Sequence, residues 1–168
     1  MKSSRRFRGF TAALLLLCMS FQVSCQHEPA LLDEYVQIPQ RKWEYDFKPE
    51  FVLQVKETGP YRLLVNLRHT PSYRYSNLFV RVQVRPVLEN GLFDGPGEDP
   101  LRYELHIAEP DGRWLGTQSG GLYSLREMVN EDFFFPDTGT FKIYLEQNMR
   151  DNPLEGVASA GLKLQRVN

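Results

Sequence analysis

From Trp43 onward, apolar and polar residues alternate along most of the chain. A period of two puts every second side chain on the same face of an extended strand, so this alternation predicts β-strands with one buried face. The side chains predicted to face inward are Trp43, Tyr45, Phe47, Tyr61, Leu63, Val65, Leu67, Leu78, Val80, Val82, Val84, Leu101, Tyr103, Leu105, Ile107, Phe141, Ile143, Leu145, Leu162 and Leu164. The aromatic run at 133–136 is also predicted to lie mostly in the core.

Turn-forming residues separate the alternating segments. Glycine, proline, asparagine and aspartate occur together at 58–60, 69–71, 90–91, 110–112 and 137–139, and these residues favour tight turns. The best helix candidate, near Leu125–Asn130, would be one or two turns long. Seven to nine short strands predict an antiparallel β-sandwich, with a partly open β-barrel as the alternative.

The outward-facing residues include many arginines. If the strands at 61–69 and 77–85 pair as a hairpin, one exterior face carries Arg62, Asn66, Arg68, Phe79, Arg81, Gln83 and Arg85. Such a face is explained either by cross-strand ion pairs on a solvated sheet or by docking of a partner or an acidic glycan.

The first 24 residues have the layout of a signal peptide. Four basic residues precede an apolar run at 10–21, which is too short to span a bilayer because that requires about 20 residues. Cys25 follows Val23 and Ser24, and a cysteine at the first mature position typically becomes lipidated, although Gln22 replaces the more usual leucine. The sequence therefore predicts a lipoprotein signal peptide at 1–24 and a lipid anchor on Cys25; the alternative is an ordinary cysteine after a plain signal peptide.

The next segment is polar and carries two prolines without a sustained period. We therefore predict a lipidated N-terminus and tether at 25–41, followed by a β-sandwich domain at 42–168. Removal of the signal peptide leaves 16 of the 20 basic residues against 21 acidic ones. This negative balance argues against nucleic-acid binding, and the single remaining cysteine leaves no disulfide framework.

No motif for catalysis or cofactor binding is present in the sequence. The chain contains no G-x-S-x-G, no H-E-x-x-H and no phosphate-binding loop,. A metal shared by His69 and His106 would lack an evident third ligand. The acidic loop at 89–100 lacks the ligand spacing of a calcium loop and is interpreted as a solvated hairpin loop. The sequence thus predicts no enzyme, no metal and no cofactor.

The segment at 66–77, NLRHTPSYRYSN, offers a possible partner contact. Arg68, Tyr73, Arg74 and Tyr75 combine aromatic rings with guanidinium groups, a combination enriched at protein interfaces. The alternative is that the aromatic rings fold back onto the rim of the core.

Several segments together resemble the GldH family of gliding-motility lipoproteins of Bacteroidetes. They are IPQRKW at 38–43, LLVNLRHTPSYRYSNLFV at 63–80, PDGRWLG at 110–116, FFPDTG at 134–139, LEQNMR at 145–150 and GVASAGLKL at 156–164. The matching segments run in order over almost the whole mature chain.

The resemblance implies a cell-envelope lipoprotein required for gliding and associated with the machinery that secretes and moves surface adhesins. It implies no catalytic activity and no cofactor. We expect the membrane, through a lipid anchor in the outer membrane, and other envelope proteins as partners. A surface glycan-binding β-sandwich lipoprotein remains the alternative, for which Tyr73, Tyr75, Phe79 and Trp114 are the available aromatic residues.

Overall fold

The computed structural model describes residues 30–88 and 99–167, and in them the chain forms two antiparallel sheets that share one core. The five-stranded sheet has the order β1-β11-β4-β8-β7, and the four-stranded sheet has the order β3-β9-β5-β6. The strands of the first sheet are β1 (Leu32–Gln37), β4 (Pro60–His69), β7 (Thr117–Ser119), β8 (Leu122–Phe134) and β11 (Val157–Arg166). Those of the second are β3 (Glu50–Val55), β5 (Asn77–Val87), β6 (Leu101–His106) and β9 (Gly139–Gln147).

A two-stranded ribbon of β2 (Lys42–Trp43) and β10 (Leu154–Glu155) completes the fold, after a short 3-10 turn at Pro39–Arg41. Neither large sheet closes on itself in the described part of the chain. The predicted antiparallel β-sandwich is therefore confirmed, and the barrel alternative is not.

The core lies between the two sheets and is filled by the inward-facing residues of both. Leu63 and Val65 of β4 and Val80 of β5 are at most 1% exposed, as the alternation predicts. The exceptions lie at an edge and in a turn. Leu101 is 44% exposed at the start of edge strand β6. Tyr45 is 42% exposed because the chain bends after Trp43 instead of continuing as a strand.

The hairpin considered for strands 61–69 and 77–85 does not form. β4 pairs with β8 and β11, whereas β5 pairs with β6 and β9. The connection between β4 and β5 crosses from one sheet to the other, so the outward arginines of the two strands face opposite sides of the sandwich.

The helix candidate near Leu125–Asn130 is also wrong, because these residues lie inside β8. Leu125 and Val129 pack against the core, and their spacing of four resembles a helical period. Glu127 occupies the intervening position and accepts a hydrogen bond from the backbone N–H of His106 at 2.8 Å. Because the polar Glu127 lies between Leu125 and Val129 on the same half-buried face of the strand, apolar residues do not alternate with polar ones in this segment.

Part of the segment expected as a tether at 25–41 is a strand of the domain. Leu32–Gln37 pairs along its whole length with β11, from Leu32 opposite Leu164 to Gln37 opposite Ser159. Gly161 allows this close approach, because a Cβ there would lie 2.1 Å from the carbonyl oxygen of Glu34. The domain therefore begins near residue 31 rather than at 42.

The signal peptide at 1–24 and Cys25 lie outside the described residues. Within the described ranges, no helix is both long and apolar enough to cross a membrane.

Candidate functional site

The four residues predicted to contact a partner occupy three different environments. Arg68 lies on the exterior of β4, where its guanidinium sits 4.8 Å from the ring centroid of Tyr35 on β1. Tyr73 is only 3% exposed, and its hydroxyl donates to the carbonyl of Asn77 at 2.9 Å. Its ring cannot reach a partner, so Tyr73 belongs to the core. Arg74 and Tyr75 remain at the surface, in the loop that joins the two sheets.

Asp151 holds Arg74 and Tyr75 together. Its Oδ2 accepts from the Arg74 guanidinium at 2.9 Å and from the Tyr75 hydroxyl at 2.5 Å. The hydrogen bond to this carboxylate raises the pKa of the Tyr75 phenol, so the hydroxyl stays a donor at neutral pH. The loop after β4 is therefore tied to the loop after β9.

A surface cleft of about 410 Å³ opens where these loops meet, lined by Tyr75, Phe79, Asn148, Met149, Arg150 and Asp151. Phe79 faces outward from β5 and is 40% exposed. Its backbone carbonyl accepts from the N–H of Asn148 at 2.8 Å, and its N–H donates to the sulfur of Met149 at 3.3 Å. The lining of the cleft thus combines the apolar side chains of Phe79 and Met149 with the cationic side chain of Arg150.

A buried amide fixes one wall of the cleft. Gln147 is 2% exposed; its Oε1 accepts from the N–H of Met149 at 2.8 Å, and its Nε2 donates to the carbonyl of Asp151 at 3.0 Å. Tyr45 supports the same loop from outside, because its hydroxyl donates to the carbonyl of Met149 at 2.8 Å. These bonds form the wall without any ligand.

An aromatic cluster lies beneath the loop that carries Tyr75. The His69 ring lies 4.8 Å from Trp114 and 5.5 Å from both Tyr73 and Tyr123 between centroids. Nδ1 of His69 donates to the carbonyl of Thr70 at 3.0 Å, whereas Nε2 is buried without a partner. Burial lowers the pKa of His69, so the ring is neutral and acts as a packing element.

Gly156 seats this loop against the ribbon. Its carbonyl accepts from the N–H of Thr70 at 2.8 Å, and a Cβ at this glycine would lie 3.0 Å from the Cα of Tyr73. Because φ is +91° here, a residue with a side chain would be strained as well as crowded.

His69 and His106 are not brought together at a common metal site. His69 is enclosed by aromatic rings, whereas His106 is exposed and lies 3.3 Å from Glu127. In residues 30–88 and 99–167 no group of three or more His, Cys, Asp or Glu side chains could hold an ion. Most of the acidic loop, residues 89–98, lies outside the described residues.

The arginine-rich exterior is divided into two ion-pair networks, one on each sheet. On the four-stranded sheet, Glu146 is 5% exposed and lies 2.5 Å from Arg81 and 2.7 Å from Lys48. On the five-stranded sheet, Arg126 bonds Asp33 at 2.8 Å and Asn66 at 2.6 Å. The first network links the neighbouring strands β5 and β9, and the second reaches from β8 across β4 and β11 to β1, as expected for the solvated-sheet interpretation.

Asp151, Met149 and Tyr45 contribute to this surface site, although the sequence did not predict them as members of one. Two family-like segments, the one around Tyr75 and LEQNMR at 145–150, contain most of the cleft. Their juxtaposition depends on the pairing of β5 with β9, which alternation does not specify. An acidic residue within a short loop directly after a strand was the available signal.

Comparisons with known proteins agree on one family. The GldH lipoprotein family model matches residues 30–164. The gliding motility lipoprotein GldH homolog of Christiangramia forsetii is 27% identical over 166 residues, covering 94% of this chain and 96% of the relative. The gliding motility lipoprotein GldH of Flavobacterium johnsoniae is 28% identical over 163 residues, covering 92% of this chain and 96% of the relative.

A solved structure of a carbohydrate-binding module specific for non-crystalline cellulose also aligns with the chain. It covers 78% of this chain and 68% of that module, with 13% identity and a TM-score of 0.37. This likeness is too remote to carry an argument about function.

Proposed function

Because the chain belongs to the GldH lipoprotein family, we propose that it is a non-enzymatic component that holds a protein of the gliding or secretion machinery at the outer membrane. Family membership identifies it as a gliding-motility lipoprotein, anchored by lipid in the cell envelope. The mode of action, the outer membrane and the partner are the proposal.

The lipid anchor is assigned to Cys25. The cysteine follows a dozen apolar residues and a cationic start, and two or three acyl chains give stable membrane attachment where one is marginal. Cys25→Ala should therefore abolish labelling with a palmitate analogue and release the protein from membranes. Labelling that persists in this variant would place the lipid elsewhere.

The cleft is the observation that carries the proposed docking role. Its wall is preformed by Gln147, which reduces the ordering cost of binding. Phe79 and Met149 offer apolar contact, and Arg150 offers charge-assisted hydrogen bonds. Arg74 already pairs with Asp151. These side chains suit a polypeptide that presents an apolar side chain beside a carboxylate.

The cleft favours a protein partner over a glycan. Of the four aromatic residues available for glycan stacking, Tyr73 is buried and Trp114 packs against His69. Only Tyr75 and Phe79 line the cleft, and the hydroxyl of Tyr75 is already bonded to Asp151.

The test is a pair of matched variants in the host strain. Phe79→Ser combined with Arg150→Ala should abolish cell movement over a surface and the co-purification of envelope proteins from detergent-solubilised membranes. Val52→Ser removes an apolar side chain that is 52% exposed on the same sheet but outside the cleft, and it should preserve both.

Thermal unfolding of both variants must match that of the unmodified domain, since both changes are on the surface. Full movement by the cleft variant would remove the cleft from the function. Glycan binding that is lost in the cleft variant would favour the glycan-binding alternative.

A further inference from the structure

We propose that one end of the sandwich rests on the bilayer surface, with Phe134 at the headgroup boundary, and that the cleft points away from the membrane. This orientation rests on the proposed lipidation of Cys25. The surface concerned, called the anchor end below, consists of the turn between β3 and β4, the end of β8 with the turn that follows it, and the end of β11.

Strand register defines the anchor end. Pro60 at the start of β4 pairs with Phe134 at the end of β8, and Tyr61 pairs with Arg166 at the end of β11. Gly139 at the start of β9 pairs with Val55 at the end of β3. Both sheets therefore reach this end.

The cleft lies at the opposite end. β4 runs from Pro60 at the anchor end to His69, and β9 runs from Gly139 to Gln147, directly before the residues that line the cleft. At 3.3–3.4 Å per residue, the ten residues of β4 separate the two ends by about 30 Å.

The chain enters the domain near the anchor end. The N–H of Leu31 donates to the carbonyl of Leu164 at 2.8 Å. Leu32 lies opposite Leu164 on β11, which in turn lies opposite Leu63 on β4. β1 then runs toward the cleft end. The described chain therefore begins near the anchor end.

The length of chain between the lipid and the domain limits the orientation. Five residues separate Cys25 from Leu31, and even a fully extended chain of this length spans only about 20 Å. This reach is shorter than the distance between the two ends of the sandwich. The acyl chains of Cys25 therefore hold the anchor end close to the bilayer.

The anchor end exposes apolar side chains that suit a lipid surface. Phe134 is 61% exposed, although Phe133 and Phe135 on either side of it are each 3% exposed. Leu88, which is 41% exposed, follows Val87 at the end of β5, and Val87 pairs with Thr140 beside the anchor end. Phenylalanine and leucine commonly insert at the boundary between headgroups and acyl chains.

The charges at this end suit a zwitterionic rather than an anionic bilayer. Exposed side chains of both signs are present among the described residues: Lys56, Glu57, Arg62, Glu131, Asp132, Asp137 and Arg166. Glu57 and Arg166 pair with each other. A polybasic patch, which would attract anionic lipid, is not formed by these residues.

Single introduced cysteines can test this orientation. The sequence holds two cysteines, one inside the predicted signal peptide and the other at the lipidation site, so a cysteine added to the mature lipoprotein is the only free thiol. Phe134→Cys probes the anchor end, Arg150→Cys the cleft, and Glu34→Cys the β1 edge; all three positions are exposed. Each lipidated variant is labelled with an environment-sensitive fluorophore and reconstituted into phosphatidylcholine–phosphatidylethanolamine vesicles.

Nitroxide attached to the lipid headgroups should quench the label at position 134 and leave the label at 150 unchanged, with position 34 between them. Stronger quenching at position 34 or 150 than at position 134 would overturn the orientation. An unquenched label at position 134 would also overturn it, and would leave the anchor end free to contact a protein instead of lipid. Flotation of the vesicles reports the lipid anchor separately. Protein that fails to float refutes the lipidation of Cys25, whereas floating protein with an unquenched label at 134 refutes only the orientation.

Discussion

Replacing Gln147 by leucine should destabilise the domain by about 2–4 kcal/mol. The side chain is 2% exposed, accepts from the N–H of Met149 at 2.8 Å and donates to the carbonyl of Asp151 at 3.0 Å. Losing the bond to the Asp151 carbonyl costs about 1 kcal/mol net, and leaving the N–H of Met149 without a partner costs about 1–3 kcal/mol. Leucine nearly preserves the volume, so the loss comes from polar groups rather than from a cavity.

Urea unfolding of a non-lipidated form measures this change. With a slope of about 2 kcal/mol per molar urea, the midpoint should fall by about 1–2 M at constant slope. Gln54→Leu is the matched control, because Gln54 is exposed and only accepts from the Thr140 hydroxyl at 2.7 Å; its effect should stay within about 0.5 kcal/mol. Equal midpoints for the two variants would refute the idea that this amide holds the cleft wall.

Three further predictions use the same unfolding measurement. Gly156→Ala should lower the free energy of unfolding by about 1–3 kcal/mol, because φ is positive at this glycine and the added Cβ would contact the Tyr73 backbone,. Gly120→Ala should cost less, because its added Cβ meets open space. Equal losses for the two variants would contradict the predicted contact with Tyr73. Because burial lowers the pKa of His69, the unfolded chain binds a proton that the folded domain rejects, so stability should decrease as the pH falls below about 6.5. His69→Phe should weaken that decrease, and an unchanged pH profile would contradict it. Phe133→Asp should unfold the domain because it buries an unpaired charge, whereas Phe134→Asp should be tolerated; equal sensitivity would mean that the exposure of the two rings is misassigned.

The alternation of residues was sufficient to predict β4, β5 and β9 and their buried faces. Leu63, Val65 and Leu67 are at most 1% exposed, and so is Ile143 on the other sheet. A period of two in the sequence indicates that one face of a strand is buried. It does not indicate which strand pairs with it, because the same face is buried with any neighbour. This is why alternation predicted these strands, whereas the hairpin considered for β4 and β5 does not form.

The edge strand β1 is not predicted by the alternation of apolar and polar residues. Tyr35 and Val36 are both half-buried, and only Leu32 at its start is fully buried. The strand has a neighbour on one side only, so its apolar pattern is weak. Its position is fixed instead by backbone pairing with β11. Backbone pairing requires no particular side chains, so the amino-acid composition does not indicate it.

The candidate site depends on tertiary contacts that a single sequence does not encode locally. Arg74 and Tyr75 were predicted as exposed, but their partner Asp151 lies 77 and 76 residues away. Tyr73 was predicted at the same surface because it is adjacent to them. The structure separates Tyr73 from the other two: its ring packs against His69 in the aromatic cluster, whereas Arg74 and Tyr75 are held at the surface by Asp151.

The proposed docking cleft and the proposed membrane-facing end lie at opposite ends of the sandwich, and the two proposals complement each other. A docking protein must bind without first ordering its own loops, because ordering reduces affinity. Gln147 and Asp151 meet this requirement by fixing the cleft wall in advance. A short connection between Cys25 and Leu31 would add direction, since it would hold the cleft about 30 Å above the bilayer rather than let it sample all orientations. Lengthening this connection with a flexible insert should then impair gliding while leaving lipidation, folding and the cleft intact.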